Sequence, residues 1–292
     1  MKRTKAYALL AVCFASGAVA SQKAQAPVPA ATFSQFECSG FISSSRLSSH
    51  VQVFNGADND LYESLHAFAT GDYVYLRRND HRRFYTGEAY STLRPENGFG
   101  LNPAWLPGMI QNQILPPASW YPHQRYDIEK LGWPYDNTGL VQVVRVTPQG
   151  AVAKVIFACN GIYPQDIAVP YRAEPVPSYI PGVHLGRFAE PNGKLEGTIV
   201  ADANATAYLA RGSIAFLNVG KKQGVEPGQR YRVFAVFRDN IAMGLQGLFG
   251  YPKTPRETVG EVVILHVRQK SAVGIVVSSL RQISVGDGVE LE

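Results

Sequence analysis

Four arginines and a histidine crowd one short run, Arg77-Arg-Asn-Asp-His-Arg-Arg83. Guanidinium forks at that density suit recognition of an anionic polymer or a lipid headgroup, which makes Arg77, Arg78, Arg82 and Arg83 binding candidates. The plainer alternative is a solvated hairpin loop. A second candidate surface lies in residues 101–126, where Trp105, Trp120, Tyr121 and Tyr126 sit among prolines. Long loops rich in aromatics form binding surfaces for glycans or partner proteins; the alternative is a loop folded over the protein's own apolar surface. Asp58-Asn-Asp60 lacks the glycine and distal glutamate of a calcium loop and fits an acidic helix N-terminus instead. The six histidines are scattered, with no H-E-x-x-H and no paired C-x-x-C. His266 falls at the position of Arg145 in the repeat described below, so both are expected to face solvent from a strand. No nucleophile elbow or phosphate-cradling loop occurs. The residues imply no cofactor and no metal, and an enzyme is not expected. A periplasmic hydrolase with an unrecognised site in the first of the two modules described below stays as the alternative.

Cys38 and Cys159 take their meaning from the start of the chain. Lys2, Arg3 and Lys5 precede the apolar run Ala6–Ala20, and A-x-A sites end at Ala20 and Ala26. This is the build of a secretory signal peptide over residues 1–20, with cleavage as late as 26. An uncleaved anchor helix would need a longer run and a stop-transfer flank. Lipidation of Cys13 would need a better residue than Val12 before it. Export would place the protein in the periplasm or at the outer membrane, with no transmembrane span after cleavage. In that compartment a remaining pair of cysteines is most simply a disulfide, worth roughly 4–5 kcal/mol in the chain-entropy account of so long a loop. Removing residues 1–20 lowers 28 basic residues to 25, against 23 acidic, so the formal charge falls from +5 to +2. A nucleic-acid partner is therefore not expected. The 292 residues are 46% hydrophobic and 17% charged, with 27 glycines and 19 prolines, which supplies a core and many turns and excludes general disorder.

The elements that position these residues repeat. Gly139-Leu-Val-Gln-Val-Val-Arg-Val146 matches Gly260-Glu-Val-Val-Ile-Leu-His-Val267, and the apolar runs 151–158 and 272–279 follow at the same offset of 121 residues, as do Ile162/Ile283 and Asp166/Asp287. Upstream, Gly71-Asp-Tyr-Val-Tyr-Leu76 matches Gly212-Ser-Ile-Ala-Phe-Leu217, and Gly87 matches Gly228, at an offset of 141. Gly40-Phe-Ile42 is aligned with Gly197-Thr-Ile199. The spacing predicts an all-β protein (minor α) of two tandem small barrels or sandwiches. The first spans about 35–170, elaborated by the 101–126 insertion and a short helix near Asp60. A second short helix is expected near 107–115. The second module spans 192–292. Residues 21–34 read as a flexible lead-in and 171–191 as a proline-rich linker.

The glycine turns, the Gly-Asp-x-Val-Tyr-Leu strand, the x-Gly-x-Val-x-Val strand and the terminal Ile-x-x-Gly-Asp resemble the C-terminal β-module of flagellar assembly protein T, and of exported bacterial envelope proteins that often carry lysin motifs. The better match is Gly212–Asp287; the first copy has Pro164-Gln165-Asp166 where Gly-Asp is expected. The resemblance implies an envelope accessory role without a reaction. The partner would be an envelope protein assembly or a cell-wall polymer, met through loops and the aromatic insertion. A purely structural spacer is the remaining alternative. No lysin-motif segment is present, so peptidoglycan binding is not implied.

Overall fold

In Tyr73-Val-Tyr-Leu-Arg77 the side chains alternate faces with period two. Val74 and Leu76 are buried, while Tyr73 and Tyr75 are exposed. Strands of this kind make up nearly all the regular structure in the computed structural model, which describes residues 26–56, 67–95, 128, 130–182, 186–204, 206–235 and 256–292. The insertion with Trp105, Trp120 and Tyr121, both expected short helices and Asp58–Asp60 lie outside the described residues.

An N-terminal arm comes first: strand β1 (Val28–Pro29), helix α1 (Phe33–Glu37) and strand β2 (Phe41–Ser43). Thr32 and Gln35 cap α1 reciprocally, Gln35 N–H donating to Thr32 Oγ1 and Thr32 N–H to Gln35 Oε1. The first barrel comprises β3 (Val51–Gly56), β4 (Tyr73–Arg78), β5 (Ala89–Pro95), β6 (Trp133–Thr147), β7 (Gly150–Ala158) and β8 (Ile167–Pro170). It closes in the cyclic order β3-β4-β7-β6-β5-β8, and β2 adds to β6. Strand β9 (Ser178–Tyr179) follows. The second barrel comprises β10 (Glu196–Asp202), β12 (Ile214–Leu217), β13 (Arg230–Ala235), β14 (Glu257–Val267), β15 (Ala272–Ser279) and β17 (Gly288–Leu291); the short pair β11 (Tyr208–Leu209) and β16 (Ile283–Ser284) lies beside it. Its cyclic order is β10-β12-β15-β14-β13-β17. Strand for strand this is the order of the first barrel.

The correspondence extends to register. Gly139 pairs Ala158 and Gly260 pairs Ser279; Tyr90 pairs Val141 and Tyr231 pairs Val262. The β-bulges between Leu140/Val141 and Val143/Arg145 recur between Glu261/Val262 and Ile264/His266. A methyl group on Gly139 would sit 2.9 Å from Ile162 Cδ1, and one on Gly260 would sit 2.7 Å from Ile283 Cδ1. The two glycines therefore answer the same close approach. The turns recur as well. Asp72 and Ser213 accept from the N–H three residues back, as do Glu88 and Gln229, and Asp166 and Asp287. The alignment of Gly40-Phe-Ile42 with Gly197-Thr-Ile199 is corrected: β3 fills the place of β10, and β2 lies outside the ring. Three residues of common type could not fix that register; the pairing partners do.

Gln165 stands where the second barrel has Gly286. It is left-handed at φ 78°, and Gly286 has φ 99°. An L-residue there costs about 1–2 kcal/mol, partly offset by the chain entropy that a glycine loses on folding. Gln165→Gly is expected to stabilise the protein by about 0.5–1 kcal/mol, read from the urea midpoint; no gain would show that the turn is relaxed as it stands.

The arm and the linker hold the barrels together. The disulfide Cys38–Cys159 fastens the arm to the first barrel. Ala30 and Phe36 pack on Val263, Leu265 and Ile275 of the second. Phe41 and Ile42 share a cluster with Leu93, Tyr135 and Ile167 on one side and Phe216 and Val273 on the other. Ser271 Oγ donates to Ile42 O. The described part of the expected lead-in is thus folded, and the linker is laid along the second barrel. β1 pairs with β9, Ala30 N–H donates to Pro177 O at 2.9 Å, and Arg230 donates to Ile180 O at 3.0 Å. Proline removes a donor but keeps its carbonyl, so a proline-rich strip can still be bonded along its acceptor side.

Candidate docking face

The outer face of β12, β14 and β15 is covered by the arm, and among the described residues nothing covers the same face of the first barrel. At the repeat offsets, Phe216 corresponds to Tyr75, Leu265 to Val144 and Ile275 to Lys154. Phe216, Leu265 and Ile275 are 1–4% exposed beneath the arm. Tyr73, Tyr75, Val144 and Ile156 are 39–43% exposed, and Phe54 beside them on β3 is 60% exposed. These five side chains point away from the core of Val74, Leu76, Val143, Ala153 and Val155. Polar residues enter at two of the corresponding positions, Gln142 for Val263 and Lys154 for Ile275.

The face carries positive charge. Lys154, Arg145 and Arg77 are exposed on it, and β3, β4 and β7 contain no acidic residue, nor does β6 from Gly139 onward. Arg77 lies 5.7 Å from the centroid of the Phe54 ring. The arginine run divides by role. Arg78 is pinned: its Nε meets Asp80 Oδ1 at 2.5 Å, its Nη1 donates to Arg83 O, and its guanidinium lies 4.8 Å over Phe84. The hydrogen bond to Asp80 raises the Arg78 pKa, and the same bond holds the Asp80 carboxyl below its ordinary value. Arg82 and Arg83 are exposed in the turn beyond β4. Arg77 therefore joins the open face, Arg78 builds the turn, and Phe54, Tyr73, Tyr75 and Lys154 are additions that the sequence reading missed. The signal for Tyr73, Tyr75 and Lys154 was available in the alternation of β4 and β7, where they stand between the buried Val74, Leu76, Ala153 and Val155.

A cleft of about 280 Å³ lies between the barrels, lined among others by Glu37, Phe41, Tyr171, Glu174, His266 and Arg268. Tyr171 Oη donates to Glu37 Oε1 at 3.0 Å. Burial raises the Glu37 carboxyl, and burial together with that carboxylate pushes Tyr171 up to about 12. The Arg268 guanidinium lies 4.1 Å over Phe41, and burial lowers its pKa. The expectation that His266 faces solvent is corrected. It is an outward position, as Arg145 is, but the arm covers it. The ring lies 4.0 Å from that of Phe36, its Nε2–H donates to Phe36 O at 3.1 Å, and Nδ1 is 3.6 Å from Glu174.

Burial lowers the His266 pKa, against the Phe36 carbonyl and Glu174, which favour the cation, and with Arg268, which opposes it. The folded state thus prefers neutral imidazole. Its contribution to stability is full above the ordinary value of 6.5 and is lost as pH falls below it. Glu37 acts with the opposite sign, from its ordinary value of 4.5 upward. His266→Gln keeps a donor for Phe36 and removes the titration, so its urea midpoint is expected to fall less than that of the parent between pH 7 and 5. Equal falls would show that His266 carries none of the slope.

Among the described residues, no group of three His, Cys, Asp or Glu could hold a metal, and no helix is long and apolar enough to cross a membrane. No family model matches the chain, and a comparison with characterised proteins finds no match.

Proposed function

We propose that the chain is a non-enzymatic accessory protein of the bacterial envelope, exported to the periplasm or the outer membrane, that docks a partner protein on its first barrel. The observation that carries this reading is the contrast between two corresponding faces, one filled by the chain's own arm and one open. The disulfide fits an oxidising compartment. The shared ring order and register support reading the two barrels as copies of one module. A module that already buries an apolar segment on one face in its second copy has the shape to bury another in its first.

Chemical crosslinking in intact cells, followed by capture of the full chain, tests the reading. Recovery of one defined protein in stoichiometric yield supports it. Recovery only with sacculi would place the function in polymer binding and overturn it.

A further inference from the structure

Resting on that docking reading, we propose that the outer face of β3, β4, β6 and β7 binds an acidic, apolar segment of a partner protein, laid across it as residues 30–42 lie across the second barrel. The second barrel shows what this face accepts. A strand end, one helical turn and a short strand seat Ala30, Phe36, Phe41 and Ile42 on it. His266 meets that segment by donating to the Phe36 carbonyl. Arg145 occupies the matching position on the first barrel and is exposed. There a guanidinium replaces a half-buried imidazole, which fits a carboxylate as well as a carbonyl.

The apolar positions and the cations together select the partner's chemistry. Tyr73, Tyr75, Val144 and Ile156 keep the apolar surface that an incoming side chain would bury. Lys154 replaces Ile275, and Arg77 and Arg145 lie on the two neighbouring strands nearer the β6–β7 turn, with no acidic residue in these strand segments to neutralise them. Charge complementarity across such a face steers the encounter and rejects basic segments. A lipid headgroup would leave the aromatic surface unfilled, and a glycan stacked on it is an overturning outcome of the test below. A second copy pairing symmetrically would set Lys154 and Arg145 against their own like charges.

The test uses the full chain in living cells, with the photo-crosslinker p-benzoylphenylalanine placed at Tyr75, at Arg82, or at Tyr208 on the second barrel as a control. The crosslinked peptides are sequenced by mass spectrometry. The expected result is one partner peptide from Tyr75, net negative and rich in apolar residues, and none from Tyr208. Lys154→Glu with Arg145→Glu is expected to cut the Tyr75 yield roughly ten-fold, while Lys154→Gln cuts it less. Both positions are solvent-exposed, and an unchanged melting curve checks that the variants fold. A neutral or basic peptide, a second copy of this chain, a glycan or a lipid at Tyr75, or no product there, overturns the inference. Product at Arg82 with none at Tyr75 would leave docking standing and remove this face from it; a protein product at neither position would count against docking itself.

Discussion

Replacing Cys38 and Cys159 together by alanine is expected to lower stability by about 3–5 kcal/mol. The bridge closes a separation of 121 residues, with Cα atoms 5.6 Å apart. In the chain-entropy account, most of the loss comes from the freedom returned to the unfolded chain. A second part is local. Cys38 follows α1 directly, and α1 carries Phe36 onto the second barrel. Without the bridge the arm keeps β2 with its packing of Phe41 and Ile42, the edge contact of Phe33 with Phe157, and the bond from Asn137 to the Glu37 carbonyl. Amide exchange in residues 30–43 should therefore quicken more than exchange in β14 or β15. Urea denaturation gives the first quantity and hydrogen exchange the second. A loss under about 1 kcal/mol with unchanged arm protection would mean that packing alone holds the junction.

The second large effect belongs to Arg232 and Glu290, cross-strand partners on β13 and β17. Glu290 is wholly buried and Arg232 nearly so. Arg232 Nε donates to Glu290 Oε2 at 2.6 Å, and Nη2 donates to both Glu290 and the Glu190 carbonyl. Glu290 Oε1 accepts from Asn192 N–H at 2.7 Å. The pair thereby fastens the end of the linker to the second barrel. Glu290→Val strands a buried guanidinium and should cost about 3–5 kcal/mol. The corresponding residues of the first barrel are Ser91 and Val169, which pair in the same register. Adding Arg232→Ser to Glu290→Val removes the stranded charge, and the double variant is expected to lose less than half as much as the single one. Urea midpoints of both singles and the double close the cycle. A double variant no better than Glu290→Val would show that the bonds to Glu190 and Asn192, rather than the isolated charge, set the cost.

The matching strand order of the two barrels was legible because glycines mark turns and close approaches that other residues, such as Gln165, satisfy only at a cost. Gly139 and Gly260, and Gly71 and Gly212, carried both offsets. The hairpin of β6 and β7 and its counterpart followed from apolar runs joined by four polar residues. The arm was not legible. Phe33-Ser-Gln-Phe-Glu37 makes little more than one turn and has no period to detect, and its partners Val263, Leu265 and Ile275 lie more than 220 residues away. The open face was half visible. Alternation marks Tyr73 and Tyr75 as outward, but only the covering of the second barrel shows that such a face can be filled. His266 and Arg145 were aligned correctly and assigned the wrong surroundings in one case, because equivalence in a repeat fixes direction and says nothing of what lies beyond.

The arm also orders events in time. Ala30, Phe36, Phe41 and Ile42 are synthesised early, yet the strands that receive them, β12, β14 and β15, come more than 170 residues later. Until then Ala30 and Phe36 have no seat, Phe41 and Ile42 have only the first barrel's side of theirs, and the arm is anchored at one end alone. Such a molecule matures only when it is whole, and one cut short before residue 257 would be left with an N-terminus open to proteases and chaperones.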